Sequence, residues 1–429
     1  MQKIQAFIYV GTIVIVLIVV LIFWGVIPGL RHSSTGSALA FWGTEPDSLF
    51  TDILRDFQNE NQSTSITYVR KNPATYEQDL VNALASGQGP DLWTIPQTWI
   101  ARHQNKIAPL PTVLMTEREF NETFAGIAIQ AFVQGGKILA LPLYVDPLVL
   151  YWNKDFFASD AIALPPRTWD EFLENSIKLT KYGASENITR SGAAMGLASN
   201  IPEAKDILSL LIIQGGISIV DPATHHSTLS EGTTINGLRV SPAESALRFY
   251  TDFARRAKKS YSWNQTFPNP PESFAQENLA MFIGYASHLS EIATANPHLA
   301  VGIAPVPQFS GSPVAIGYGR TLGITVSLAS PSRLAAWTFA KYITSPTSAA
   351  RIADGLSIAP ARRDLLSRGS DQPARSVMYE SAIRARAWYD PNEMETAAIF
   401  QTMIESTLRG TGIETAAQDA SNHMQKLLK

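Results

Sequence analysis

The chain has 429 residues, more than one hydrophobic core usually serves, so two lobes or domains are expected. Its formal net charge is −3, from 34 basic and 37 acidic residues, and no basic run is present to track phosphates, which argues against a nucleic-acid partner. Cysteine is absent, which excludes disulfides, thiolate nucleophiles, Cys-based metal sites and a lipid-modified cysteine anchor.

Residues 4–30 form an uncharged apolar run. As a helix it would extend about 40 Å, more than the ~30 Å hydrocarbon core of a bilayer. A signal peptide would have a shorter apolar region with a small-residue cleavage site close behind it. The nearest such site, Ala38-Leu39-Ala40, lies well past the run, and cleavage there would remove an apolar strand over 38–42. An uncleaved transmembrane anchor over 1–31 is expected. Lys3 precedes the run while Arg31 and His32 follow it, a small bias toward a cytoplasmic N-terminus. The main domain would then lie on the outer face, periplasmic or extracellular, with the small polar residues 32–37 as a flexible linker.

Beyond the linker the pattern alternates. A strand over 38–42 precedes a helix with apolar positions at Leu49, Phe50, Ile53, Leu54 and Phe57. A strand over 65–69, a helix over 76–85 stopped by Gly87-Gln-Gly-Pro90, and a strand over 91–95 follow. This order predicts a parallel sheet with covering helices, an α/β lobe. Two apolar segments, 138–145 and 148–152, are separated by Asp146-Pro147. Thr168 with Glu171 three residues later reads as a capping box. Helices are expected over 202–214 and 241–258, strands over 280–284, 301–305 and 322–327, a helix over 332–343 and a helical tail. Gly317-Tyr-Gly-Arg320 reads as a flexible segment.

In order and spacing these segments resemble the family 1 extracellular solute-binding proteins, the maltose-binding type that serves ABC sugar importers. The residues that carry the resemblance run through most of the chain. They are Phe41-Trp42-Gly43, Ala83-Leu-Ala-Ser-Gly-Gln-Gly-Pro-Asp-Leu92, Leu139-Ala-Leu-Pro-Leu143 with Leu150-Tyr-Trp-Asn-Lys-Asp155 and Pro166-Arg-Thr-Trp-Asp-Glu171, Asn278-Leu-Ala-Met-Phe-Ile-Gly284, and Ala335-Ala-Trp-Thr-Phe339 with Ala359-Pro-Ala-Arg362 and the tail. The resemblance implies a type II periplasmic-binding-protein-like fold, with 38–145 plus 307–345 as the N-terminal lobe and 146–306 plus 346–429 as the C-terminal lobe. It further implies that the lobes close on one ligand about hinge strands. Segments 143–147 and 304–307 carry prolines and are candidate hinges.

A sugar offers hydroxyl edges and apolar CH faces, so its site calls for carboxylates or amides together with aromatic rings. Trp42 and Glu45 end the first strand, where open α/β sheets place ligands. Core packing for Trp42 and a helix-dipole role for Glu45 are the plainer alternatives. By the resemblance, Asp146 falls where the maltose-binding type carries a ligand-binding acid; the alternative is a turn before Pro147. Trp99 is a candidate ring for stacking, or packs at a helix start. Tyr285 stands where the family often has a tryptophan, a departure at the usual stacking contact. Tyr318 and Arg320 belong to the flexible glycine segment. Trp388, read as an exposed loop residue, stands where the family places a stacking aromatic. Trp152, Trp169, Trp263 and Trp337 are read as structural.

His225-His226 lacks further ligands at helical spacing and is read as a solvated loop; no metal or cofactor is expected. No nucleophile elbow, zinc-protease helix or phosphate loop is present. The expectation is a monomeric, membrane-tethered solute-binding protein that passes a carbohydrate to ABC permease subunits. The alternatives are a membrane-anchored polysaccharide-processing enzyme, and a sugar sensor or adhesin using the same cleft.

Overall fold

The computed structural model describes residues 36–235 and 238–428. The expected anchor over 1–31 and most of the linker lie outside these residues. Among the described residues no helix is long and apolar enough to cross a membrane. Ser37, counted with the linker, already opens the first strand, Ser37–Gly43.

That strand pairs in parallel with Thr64–Arg70 on one side and Leu92–Pro96 on the other. The helices Thr51–Glu60 and Tyr76–Ala85 connect the three. Next in the sheet comes Gly317–Val326, antiparallel to Leu92–Pro96. Its partner in turn is the 13-residue strand Leu141–Asn153.

The long strand joins the two halves of the molecule. Residues up to Pro147 pair with Gly317–Val326, whereas Leu148 onward pairs with Leu279–Tyr285 and Val301–Pro305. Ile188–Ala194 extends the second half, parallel to Leu279–Tyr285. The expected interruption at Asp146-Pro147 is therefore absent: the two apolar segments are one strand. Proline is tolerated because it sits where the neighbour changes, so its missing N–H removes no bond from an established ladder. All residues of the strand are buried except the half-buried Tyr144 and Trp152, which accounts for its nearly unbroken apolar sequence.

A second correction concerns 317–320, which begins a strand and is not a flexible loop. Gly319 is required for close approach: a Cβ there would lie 3.0 Å from the Asp146 carbonyl oxygen, 3.1 Å from Pro147 Cα and 3.3 Å from Ala385 Cβ. The helix expected over 241–258 ends at Asp252. The capping box at Thr168 is present, with Thr168 and Glu171 each bonding the other's backbone N–H.

Each half has its own aromatic core. In the first, Phe41, Phe50, Phe57 and Phe339 meet at centroid distances of 5.1–5.9 Å, which locks the helices Thr51–Glu60 and Arg333–Ile343 onto the sheet. In the second, Trp169 packs on Phe172 and Phe249. Helices Glu393–Leu408 and Ile413–Leu427 pack with Ala204–Gln214 and Pro242–Asp252 in that same half. Helix Pro346–Leu356 packs instead on Asp47–Leu49 and Arg333–Ile343, with Arg351 2.7 Å from Asp56.

Candidate functional site: a cleft at the strand ends

The parallel strands end at Gly43, Arg70 and Pro96, and a cavity of about 270 Å³ lies beside the third of these ends. Gln97, Thr98 and Tyr144 line it from the first half, and Lys205, Asp206, Tyr285 and Glu393 from the second, with Tyr318 and Arg320 between them. Tyr318 and Arg320 are two apart on one strand and so share a face. The same period-two rule puts Tyr144 on the face of Asp146.

Asp146 is 1% exposed and fully engaged. It accepts hydrogen bonds from Ser287 N (3.0 Å), Ser287 Oγ (2.8 Å), Arg320 Nε (3.1 Å) and Arg320 Nη2 (2.9 Å). The Arg320 guanidinium also lies 4.0 Å above the Tyr285 ring. Tyr285 donates to Asp206 Oδ2 at 2.9 Å. Burial pushes the Asp206 carboxyl up, and neither the Lys205 ammonium nor the Tyr285 hydroxyl cancels this. Lys205 Nζ is turned away to Asp390, 2.8 Å distant. Burial opposes its charge, but the Asp390, Asp206 and Glu393 carboxylates outweigh that and hold it above the ordinary lysine range.

Glu45 is buried behind Tyr144, whose phenol is raised by its own burial and by the Glu45 and Asp146 charges. The Glu45 carboxylate folds back onto Thr44 N at 3.2 Å, and its carbonyl accepts from Tyr68 Oη at 2.8 Å. Burial raises its pKa, against the backbone and side-chain donors that surround it. Gly43 makes room for this fold, since a Cβ there would come within 3.0 Å of Glu45 Oε2. The two halves touch where Thr98 Oγ1 donates to Glu393 Oε2 at 2.7 Å.

The structure thus gathers Asp146, Tyr285, Tyr318 and Arg320, with Glu45 adjoining through Tyr144. None of the described tryptophans lines this cavity, although the Trp388 ring lies 5.8 Å from Nζ of the wall residue Lys205. Trp42 is half-buried, its ring covered by Lys71 Nζ at 3.4 Å. Trp99 turns toward Tyr76 (5.4 Å) and His103 (6.0 Å), while its neighbours Gln97 and Thr98 face the cavity. Trp388 is 8% exposed, contrary to its reading as an exposed loop residue, because Phe400 stacks on it at 6.2 Å. It lines a separate cavity of about 840 Å³ that includes Gln130, Val133 and His225. His225 stacks on Tyr389 at 4.4 Å, and the described residues hold no cluster of three or more His, Asp or Glu suited to a metal.

Tyr144, Lys205, Asp206, Gln97, Thr98 and Glu393 are site residues that sequence reasoning missed. Only Tyr144 carried a signal, the i, i+2 spacing from Asp146. Thr98 and Glu393 are 295 positions apart, and nothing local marks their contact.

The described residues thus form a mixed-sheet α/β molecule with a polar cleft between its two halves. The profile of the bacterial extracellular solute-binding protein family matches residues 52–377, and the chain belongs to that family, whose members bind solutes and are not enzymes. It is 25% identical over 154 residues to the galactooligosaccharide-binding protein of Bacillus subtilis (strain 168), a match covering 36% of each chain. It is 22% identical over 265 residues to the diacetylchitobiose binding protein DasA of Streptomyces coelicolor, covering 61% of this chain and 58% of that one. The chain thus spans between about a third and three fifths of these curated relatives. In fold it is similar to the sugar-binding protein MalE of Xanthomonas citri, at a TM-score of 0.74 and 17% identity, over 91% of this chain and 97% of that one.

Proposed function

We propose that this chain captures a carbohydrate in the cleft lined by Tyr144, Asp206, Tyr285, Tyr318 and Arg320, and that its lobes close over the ligand by bending at the crossing strands. The observation that carries this reading is a polar cavity between two sheet halves that share the strand Leu141–Asn153. The sugar-binding names of the relatives support the ligand class. The lobes are 38–145 plus 307–345 and 146–306 plus the C-terminal helices, with the contacts of Pro346–Leu356 drawing that helix to the first lobe. Glu45, Asp146 and Arg320 order the cleft. Trp42, Trp99 and Trp388 serve a longer ligand only if opening of the lobes frees their faces.

In this reading residues 4–30 tether the monomer to the membrane, the main domain lies outside, and the closed form presents both lobes to ABC permease subunits. A ligand drives closure only through its greater affinity for the closed state. The test is thermal unfolding of the full-length protein in detergent with a panel of mono- and oligosaccharides. A ligand at 100 times its dissociation constant adds about 2.7 kcal/mol and raises the midpoint by a few degrees. Absence of a shift with every sugar rejects the carbohydrate ligand.

A further inference from the structure

Asp206 and Glu393 both face the 270 Å³ cavity, and among the described residues neither is bonded directly to a cation; the Lys205 ammonium acts on both only from farther away. Asp206 is met by the Tyr285 hydroxyl and Glu393 by the Thr98 hydroxyl. The two cations of the wall bond other carboxylates, Arg320 to Asp146 and Lys205 to Asp390, so that three carboxylates share the one Lys205 charge. The balance of fixed charge around the cavity is therefore acidic. A carboxylate removed from water is costly unless a counter-charge meets it, so the empty space beside Asp206 favours a cation.

The aromatic wall points the same way. Tyr285 already carries the Arg320 guanidinium on its face. That ring is occupied by a cation, the partner that the negative face of an aromatic prefers, and is not left bare for the CH face of a neutral sugar. The cavity is also small, below the ~300–1,000 Å³ usual for small-molecule sites, which matches a single ring better than an oligomer.

Resting on the carbohydrate reading above, we propose that the cleft selects a single-ring amino sugar, its ammonium set between Asp206 and Glu393 and its hydroxyls on Gln97, Thr98 and Arg320. Specificity is then a difference of affinities set by one charge-assisted contact that a neutral or acylated ring lacks.

The experiment is calorimetric titration of the full-length protein in detergent, near neutral pH, with glucosamine, galactosamine and mannosamine, and with the N-acetylated and neutral form of each. The expected result is that at least one hexosamine binds about tenfold tighter or better than its N-acetylated and neutral counterparts. Asp206→Asn, which keeps an acceptor for Tyr285, is expected to bring that ratio close to one; thermal unfolding of the variant without ligand verifies that it folds. Glu393→Gln, on a more exposed side chain, should lower the ratio in a background independent of Asp206. A neutral or N-acetylated ring that binds as tightly overturns the amine assignment and leaves the carbohydrate reading in place. Binding of oligosaccharides alone also overturns it, and leaves that broader reading standing. Silence of every sugar, single-ring or longer, overturns both.

Discussion

Arg320 holds the buried Asp146 with two donors of one planar fork while stacking on Tyr285. Arg320→Ala is expected to leave Asp146 with only Ser287 as partner. Breaking a buried pair costs about 3–5 kcal/mol, but more than half of the Arg320 side chain is exposed, so solvent screening reduces the expected loss to about 1–3 kcal/mol. Denaturant unfolding measures it, and Arg320→Lys should recover only part, because an ammonium cannot replace the fork. A loss under a few tenths of a kcal/mol would mean that Ser287 alone satisfies Asp146. His288 supplies a pH dependence. Its Nε2 lies 2.9 Å from Glu203 Oε1 and its Nδ1 3.3 Å from Glu291 Oε2, with the Asp146 charge nearby. Burial disfavours the imidazolium, yet these carboxylates prevail and raise the pKa above the ordinary 6.5. A raised folded pKa means that the stabilisation is complete below the unfolded value and is lost as pH climbs through the folded one. The stability margin of the native protein over His288→Gln should accordingly be larger at about pH 6 than at about pH 9; equal margins would show that His288 stays neutral.

At the level of elements, the crossing of the sheet depends on Gly319. Gly319→Ala puts a methyl group 3.0–3.1 Å from the backbone at Asp146 and Pro147, too close for an unshifted strand. Overpacking of this kind is expected to cost about 1–3 kcal/mol, read from the denaturant midpoint, and to weaken sugar binding through the displaced Asp146. Unchanged stability would show that the crossing yields freely. This glycine also marks where the sequence was misleading. In 317–320 the glycines suggested looseness, but Gly319 serves close strand contact, which no local pattern distinguishes from flexibility. By contrast, the alternation of 38–42, 65–69 and 91–95 with amphipathic helices made the first half readable, and the Thr168 box and the 76–85 helix were legible from caps and spacing. Asp146 and Tyr285 were named from the resemblance, and Tyr318 and Arg320 from the reach of a segment read as flexible; strand crossing, which neither argument used, is what brings the four together. Trp388 was misread because the partner that buries it, Phe400, comes from a helix later in the chain.

For the whole molecule, the hydrogen bond from Thr98 to Glu393 is one of the contacts between the two halves, Ala387 N to Gln130 Oε1 at 3.0 Å being another, and under the proposed hinge closure it favours the closed form. It closes the cleft from the first lobe to the start of helix Glu393–Leu408, at 2.7 Å and near the surface. A hydrogen bond in such a place contributes about 0.5–1.5 kcal/mol net, which is enough to change an open-to-closed ratio by roughly two- to tenfold. Thr98→Val keeps the shape of the side chain and removes the donor. The variant is expected to shift toward the open form, with a larger radius of gyration in ligand-free X-ray scattering, and to bind sugar about two- to tenfold more weakly. Both changes must come together, because a ligand that binds only the closed form has to make up for whatever closed population is lost. Weaker binding without expansion would mean that Thr98 acts through its ligand contact alone and not through closure, and expansion without weaker binding would mean that the ligand is held by one lobe alone.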